Sequence, residues 1–149
     1  MRPHEFIYKY LDAAKKASAE TGIPTGVLLA IAAHESGWGK SKLSQPPHYN
    51  FGGVKRHGNL KGVKMLTTEY VNGKPVKVYA DFASYGSPEE SFRDIARVLR
   101  KPIYKEAQAE LEQNNVVGFI IKFAKHYATD PSYAQKIIAV MNKWGLWKL

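Results

Sequence analysis

The sequence contains no cysteine, so disulfide cross-links and thiolate chemistry are excluded and nothing in it records the redox state of its compartment. No apolar run approaches the ~18 residues needed to cross a bilayer, so no membrane span is expected. The first residues, Met1-Arg2-Pro3-His4-Glu5, lack the apolar stretch and small-residue cleavage site of a signal peptide. Such a chain is expected to leave the cytosol by another route or to be cut from a longer protein. There is no internal repeat and no linker, so residues 1–149 are expected to form one domain. Acidic residues are few: 13 Asp and Glu stand against 22 Lys and Arg, for a net charge of +9. That imbalance favours a polyanionic partner, either nucleic acid or an anionic bacterial envelope. The cations are scattered, without a recognition-helix block or an RNP-like motif, so sequence-specific nucleic-acid binding is not expected.

What the chain does contain is periodicity. Phe6, Ile7, Tyr10, Leu11, Ala14 and Ala17 recur at three- and four-residue steps and predict a helix from Pro3 to Thr21, stopped by Gly22. A second helix restarts at Pro24 and runs through Val27, Leu28 and Ile31 to Glu35 or Ser36. From Gly37 to Gly62 periodicity fails. A loop this long in a compact domain is usually functional or mobile; this one carries Trp38, Tyr49 and Phe51 and is not low-complexity, which favours function. Val63 to Phe82 reads as a β-hairpin around Asn72-Gly73. A two-residue turn pairs Val71 with Lys74, which sets Glu69 opposite Val76, Thr67 opposite Val78, Met65 opposite Ala80 and Lys64 opposite Asp81.

Ser87-Pro88-Glu89-Glu90 reads as a capping box for a helix that carries Phe92, Ile95, Ala96 and Leu99 and stops before Pro102. A weaker helix follows from about Tyr104 to Gln113. Asn115 is expected to cap a helix from Val116 to Tyr127, and Asp130 to cap the last one, ending at Trp144. The sum is a mostly α fold with one β-hairpin, a lysozyme-like α+β architecture.

Most of the acids belong to polar helix faces, caps or ion pairs; Asp94 is placed on a polar face and Asp81 opposite Lys64. Two acids escape this sorting. Glu35 follows Leu28 and Ile31 along the buried stripe and ends its helix, where the dipole disfavours negative charge. Partial burial and the dipole both favour its protonated form, as a proton donor requires. Its other reading is a helix-end Glu turned to solvent. Glu69 lies on the hairpin face otherwise filled by Val63, Met65, Val71, Val76, Val78, Ala80 and Phe82. A carboxylate there needs water, a partner or a cleft; its other reading is a hairpin tip that is already wet. An acid at a helix end facing a second carboxylate is the arrangement that glycoside hydrolysis uses.

Four segments carry a resemblance. They are His34-Glu35-Ser36-Gly37-Trp38-Gly39-Lys40-Ser41, Asn50-Phe51-Gly52-Gly53-Val54-Lys55, Asp81-Phe82 with Ser87-Pro88 and Phe92, and Tyr127-Ala128-Thr129-Asp130-Pro131-Ser132-Tyr133-Ala134. In order and spacing they resemble the mannosyl-glycoprotein endo-β-N-acetylglucosaminidase-like family, which includes peptidoglycan hydrolases of flagellar assembly, autolysins and phage lysins. The resemblance implies cleavage of bacterial peptidoglycan between N-acetylglucosamine and N-acetylmuramic acid, with no metal or cofactor. It implies Glu35 as general acid and Glu69 as the carboxylate across the cleft, acting as base or beside substrate assistance by the 2-acetamido group. Tyr127 would orient Glu35 or bind the acetamido sugar. Asn50 and Phe51 would form cleft wall. Trp38 either stacks on sugar or anchors the core, and Tyr133 either contacts substrate or packs its helix. His34 is expected to be packed or partly solvated, not catalytic. Gly53 stands where the family more often has a bulky aliphatic residue, which would loosen that wall.

A monomer acting at the cell wall is expected, delivered by a phage, carried on a virion, or excised from a larger protein. Three rivals stay open: a lytic transglycosylase or muramidase that cuts the other glycosidic bond, a non-catalytic wall-binding module, and, on charge alone, a nucleic-acid binder.

Overall fold

Six α-helices and one antiparallel hairpin make up the molecule, the mostly α, lysozyme-like α+β arrangement expected from the sequence. The computed structural model describes all residues, 1–149. The elements are α1 (Pro3–Thr21), α2 (Thr25–Ser36), β1 (Lys61–Val71), β2 (Lys74–Ser84), α3 (Pro88–Val98), α4 (Lys105–Glu112), α5 (Val116–Tyr127) and α6 (Tyr133–Trp144). Short 3-10 turns at Pro102–Tyr104 and Leu146–Lys148 complete it. No helix is long and apolar enough to cross a membrane.

The fold is built round α2. The sequence suggests a stripe on this helix, but every residue from Thr25 to Ala33 is buried. A helix apolar on all sides belongs inside a core. Here α1, α3, α6 and the C-terminal turn surround it. Gly26 permits the closest of these approaches, since a Cβ there would stand 2.0 Å from the Leu146 carbonyl oxygen. The helix surfaces only in its last turn, so its one carboxylate emerges from the core at the point where the helix ends.

The main hydrophobic cluster takes residues from all six helices and none from the hairpin, whose own buried residues are Phe82 and Ala83 at its base. The hairpin nevertheless adopts the expected register, with Val71 opposite Lys74, Glu69 opposite Val76 and Val63 opposite Phe82. Asn72-Gly73 sets it, both residues having positive φ as a two-residue hairpin turn requires. Towards the tip the apolar face opens to solvent: Val71 is 53% and Val76 40% exposed. At its base the hairpin is tied to segment 48–56. The Ala83 N–H donates to the Val54 carbonyl at 3.0 Å, and the Arg56 N–H to the Asp81 carbonyl at 2.8 Å.

One local expectation holds with an added partner, and two are corrected. Asp81 stands opposite Lys64 in register, but its ion pair is with Arg56 at 3.4 Å, because segment 48–56 runs alongside β2 and brings the guanidinium closer. Asp130 does not cap the last helix. Its Oδ1 accepts from the Ser132 N–H at 2.8 Å and Lys136 binds its other oxygen, which holds the chain in a side-chain turn until α6 begins at Tyr133. The Ser87 cap forms, with the Glu90 N–H donating to its hydroxyl at 3.3 Å, but the Glu90 carboxylate reaches back one residue further, to the Gly86 N–H.

Candidate active site

A cleft of about 790 Å³ lies between the helical body and the hairpin. Glu35, at the end of α2, Tyr127, at the end of α5, and Tyr133, at the start of α6, line the helical side. The facing wall is Gly53 to His57 together with Thr67 to Tyr70 and Phe82 of the hairpin. Val98 at the end of α3, Lys101 and Tyr104 in the turn after it, and Lys125 and His126 of α5 line it further along. No group of three His, Asp or Glu side chains is arranged to hold a metal ion.

Glu35 keeps a partly open face to the cleft, while protein on its other sides removes its carboxyl from bulk water. Burial raises its pKa to about 7; the Tyr133 hydroxyl pulls the other way, and the charges of Glu69 and Asp130 add to the rise. Ser36 fixes the turn that ends the helix: its hydroxyl donates to the Ala32 carbonyl at 2.6 Å and accepts the Gly39 N–H at 2.8 Å. Gly53 holds the opposite wall against the acid. With φ of +63° and an added Cβ only 2.8 Å from Glu35 Oε1, a side chain here would be strained and would push on the acid. The glycine therefore makes this wall tight where a looser one was expected.

Glu69 sits in a different medium. Partial burial pushes its pKa up, but hydrogen bonds from Thr129 and Lys55, with the Lys55 charge, outweigh this and hold it below the usual carboxylate range. Thr129 donates to Oε2 at 2.6 Å and the Lys55 ammonium lies 3.2 Å from Oε1. The cleft thus sets a carboxyl that favours its proton against a carboxylate that favours its charge.

The aromatic candidates separate. The Tyr127 hydroxyl donates to the Gly52 carbonyl at 2.7 Å, so it braces the wall instead of reaching Glu35. Tyr133 is the residue that faces the acid. Its hydroxyl is the buried side-chain polar atom left without a properly formed hydrogen bond, yet it stands near enough to lower the Glu35 pKa. Its ring stacks on Tyr127, with centroids 5.8 Å apart, and meets His34 edge-on at 5.4 Å. His34 is partly buried and lines the cleft, and burial lowers its pKa, favouring neutral imidazole.

Three expected contact residues lie outside the cleft lining. Trp38 packs edge-on between Phe6 and Trp144, each 5.7 Å away, and is a core anchor. Phe51 is buried against Tyr10 and Phe92. Asn50 is buried behind the wall: its amide donates to the carbonyls of Val54 and Ala83 at 2.8 and 2.9 Å, joining the loop to the hairpin base. These residues support the cleft from behind; a loop rich in aromatics is equally what a domain needs to pack an irregular segment onto its core.

The structure also brings in residues that sequence spacing left aside. Thr129 and Lys55 hold Glu69, although nothing in their spacing singles them out. Asp94 points inward, where it accepts hydrogen bonds from the Tyr85 hydroxyl and from His57 Nε2, the latter at 2.7 Å. This anchors His57 at the cleft and corrects the polar-face placement of Asp94. A Tyr directly after the hairpin's last Ala-Ser pair is the only sequence trace of that partnership.

Comparison with known proteins adds a separate line of observation. Residues 11–146 match the family described as mannosyl-glycoprotein endo-beta-N-acetylglucosaminidase. The chain is 41% identical over 138 residues to the peptidoglycan hydrolase FlgJ of Escherichia coli (strain K12), covering 87% of this chain and 43% of that protein. It is 33% identical over 150 residues to a probable N-acetylmuramidase of Lactococcus lactis subsp. cremoris (strain MG1363), covering 95% of this chain and 33% of that protein. The chain therefore spans less than half the length of either relative. Its structure is similar to the catalytic domain of the autolysin Auto from Listeria monocytogenes, with a TM-score of 0.79 and 31% identity, covering 98% of this chain and 86% of that one.

Proposed function

The chain belongs to the mannosyl-glycoprotein endo-β-N-acetylglucosaminidase family, and from that premise we propose that it hydrolyses bacterial peptidoglycan. The bond cut is the β-1,4 link from N-acetylglucosamine to N-acetylmuramic acid, within the glycan strand. One observation carries this reading: a single cleft holds Glu35 with its pKa raised to about 7 and Glu69 with its pKa lowered. Environments that push two carboxylates apart in this way divide acid from base.

Glu35 gives its proton to the glycosidic oxygen as the bond from that oxygen to the sugar C1 breaks. Positive charge then develops on the ring, and the Glu69 carboxylate stabilises it. Water adds at C1, and its proton passes to Glu69, or the 2-acetamido oxygen attacks first while Glu69 supports the amide. Tyr133 offers its unengaged hydroxyl beside Glu35 and serves the acetamido sugar. Tyr127 serves the reaction by fixing the wall through Gly52. The net charge of +9 lengthens residence on an anionic wall, where the enzyme acts.

The L. lactis relative's name favours a second reading, cleavage of the alternate bond as a muramidase. Digestion of purified peptidoglycan followed by mass spectrometry of the new ends separates the two. New reducing N-acetylglucosamine is expected; reducing muramic acid or its 1,6-anhydro form would overturn the proposal. A binding module without activity would yield no new ends at all.

A further inference from the structure

The hairpin tip is joined to the helical body by one hydroxyl. Thr129, in the turn between α5 and α6, accepts the backbone N–H of Tyr70 at 2.9 Å and donates to Glu69 Oε2 at 2.6 Å. The other hydrogen bonds and ion pairs that the hairpin makes outside itself come from segment 48–56, on the wall side. Thr129 therefore reaches the hairpin from the helical side of the cleft.

We propose that Thr129 is a positioning residue, a clasp that holds Glu69 across the cleft from Glu35 as a hydrogen-bond acceptor. A hydroxyl has one proton to give. The Tyr70 N–H occupies its acceptor side, which turns that proton towards Glu69. A carboxylate receiving it is favoured over a carboxylic acid, so the clasp selects the charged form as well as the place. Two further groups are coupled to Glu69. Lys55 approaches from the wall, and Glu35 faces it from α2. Lys55 is 60% exposed on a long flexible stem and cannot define a position alone. Without Thr129 the tip beyond Met65 has no tie to the helices, and its exposed Val71 and Val76 contribute little packing. The inference rests on the reading of Glu69 as the second carboxylate.

The test compares the full chain with Thr129→Val, which keeps the volume and loses both bonds, and Thr129→Ser, which keeps the hydroxyl. Three quantities are read: hydrogen exchange at the Tyr70 amide, the ¹³C titration midpoint of the Glu69 carboxyl, and kcat with KM on peptidoglycan. In the valine variant the amide is expected to lose protection, the midpoint to rise by about one pH unit, and kcat to fall about tenfold to a hundredfold with KM little changed. Serine is expected to restore all three. An unchanged amide and midpoint in a folded valine variant would overturn the clasp, as would a serine variant that behaves like valine. The first two readouts need no turnover. If they respond while the unmodified chain releases no sugar ends, the clasp stands and the glycosidase reading falls.

Discussion

Glu35 leaves a helix buried on all sides in a core to which every helix contributes, whereas Glu69 rides on a hairpin that lies outside that main cluster and buries hydrophobic side chains only at its base. Around Glu35 there is protein but no well-formed hydrogen bond, so burial outweighs the opposing pull of the Tyr133 hydroxyl and the carboxyl favours its proton. Around Glu69 there is a hydroxyl, an ammonium and open solvent, so a similar carboxyl gives its proton up. The difference teaches that the core is what makes the acid, while a few discrete polar contacts make the carboxylate. Damage to the first should therefore be large and specific to one atom. Damage to the second should be graded.

The largest expected effect follows from removing the proposed proton donor. Glu35→Gln keeps the shape and the burial but has no acidic proton, and positioned general acids contribute about 10²- to 10⁴-fold. The rate of sugar-end release is expected to fall across that range. Glu69→Gln keeps a dipole where charge was and should cost less, about tenfold to a hundredfold, since the acetamido group can share its task. Equal losses would erase the contrast and make the two residues one functional unit.

Next is pH. In the proposed mechanism the active form needs Glu35 protonated and Glu69 ionised. kcat/KM is therefore expected to fall as pH rises through about 7 and, on the acid side, only below 4.5, since Glu69 titrates lower than an ordinary Glu. Stability carries the same signature. The folded pKa of Glu35 lies above its unfolded value, so its contribution is full below pH 4.5 and is lost as pH rises through about 7. Glu35→Gln cannot ionise, and thermal melts should show it gaining on the unmodified chain from pH 5 to 8, by on the order of 3 kcal/mol. A Gln variant with the same pH–stability curve as the unmodified chain would show that burial does not perturb Glu35.

The same contrast explains how far the chain can be read. Local chemistry was legible: Asn72-Gly73 and alternating apolar residues determine the hairpin register pair by pair, and Glu35 stands out because a helix stops at it. What depends on distant partners was not legible. Asn50 looks like a turn residue until Ala83 arrives 33 positions later to take its amide proton. Trp38 suits a sugar or a core equally, and only Phe6 and Trp144 decide it. Thr129 is an ordinary turn threonine until the hairpin tip comes down on it. Asp130 has a helix-cap composition, but its side chain closes a turn two residues early. Even α2 misleads on periodicity, because a helix buried all round has no face to announce.

The smallest expected effect is the sharpest on how Glu69 is held. Lys55 lies 3.2 Å from Glu69 Oε1, but its side chain is 60% exposed, and exposed ion pairs contribute little. Lys55→Gln removes the charge and leaves the Thr129 bond in place. The acid limb of the pH profile is then expected to rise by less than about half a unit and kcat to fall no more than about twofold. Both changes should fade at high salt, where an exposed charge is already screened. A loss through Thr129→Val should survive the same salt, because a short neutral-to-charged hydrogen bond does not depend on long-range attraction. If Lys55→Gln is as damaging as Thr129→Val and equally salt-resistant, charge rather than contact places Glu69. The two carboxylates would then differ only in electrostatics, and the hairpin would need no clasp to set them apart.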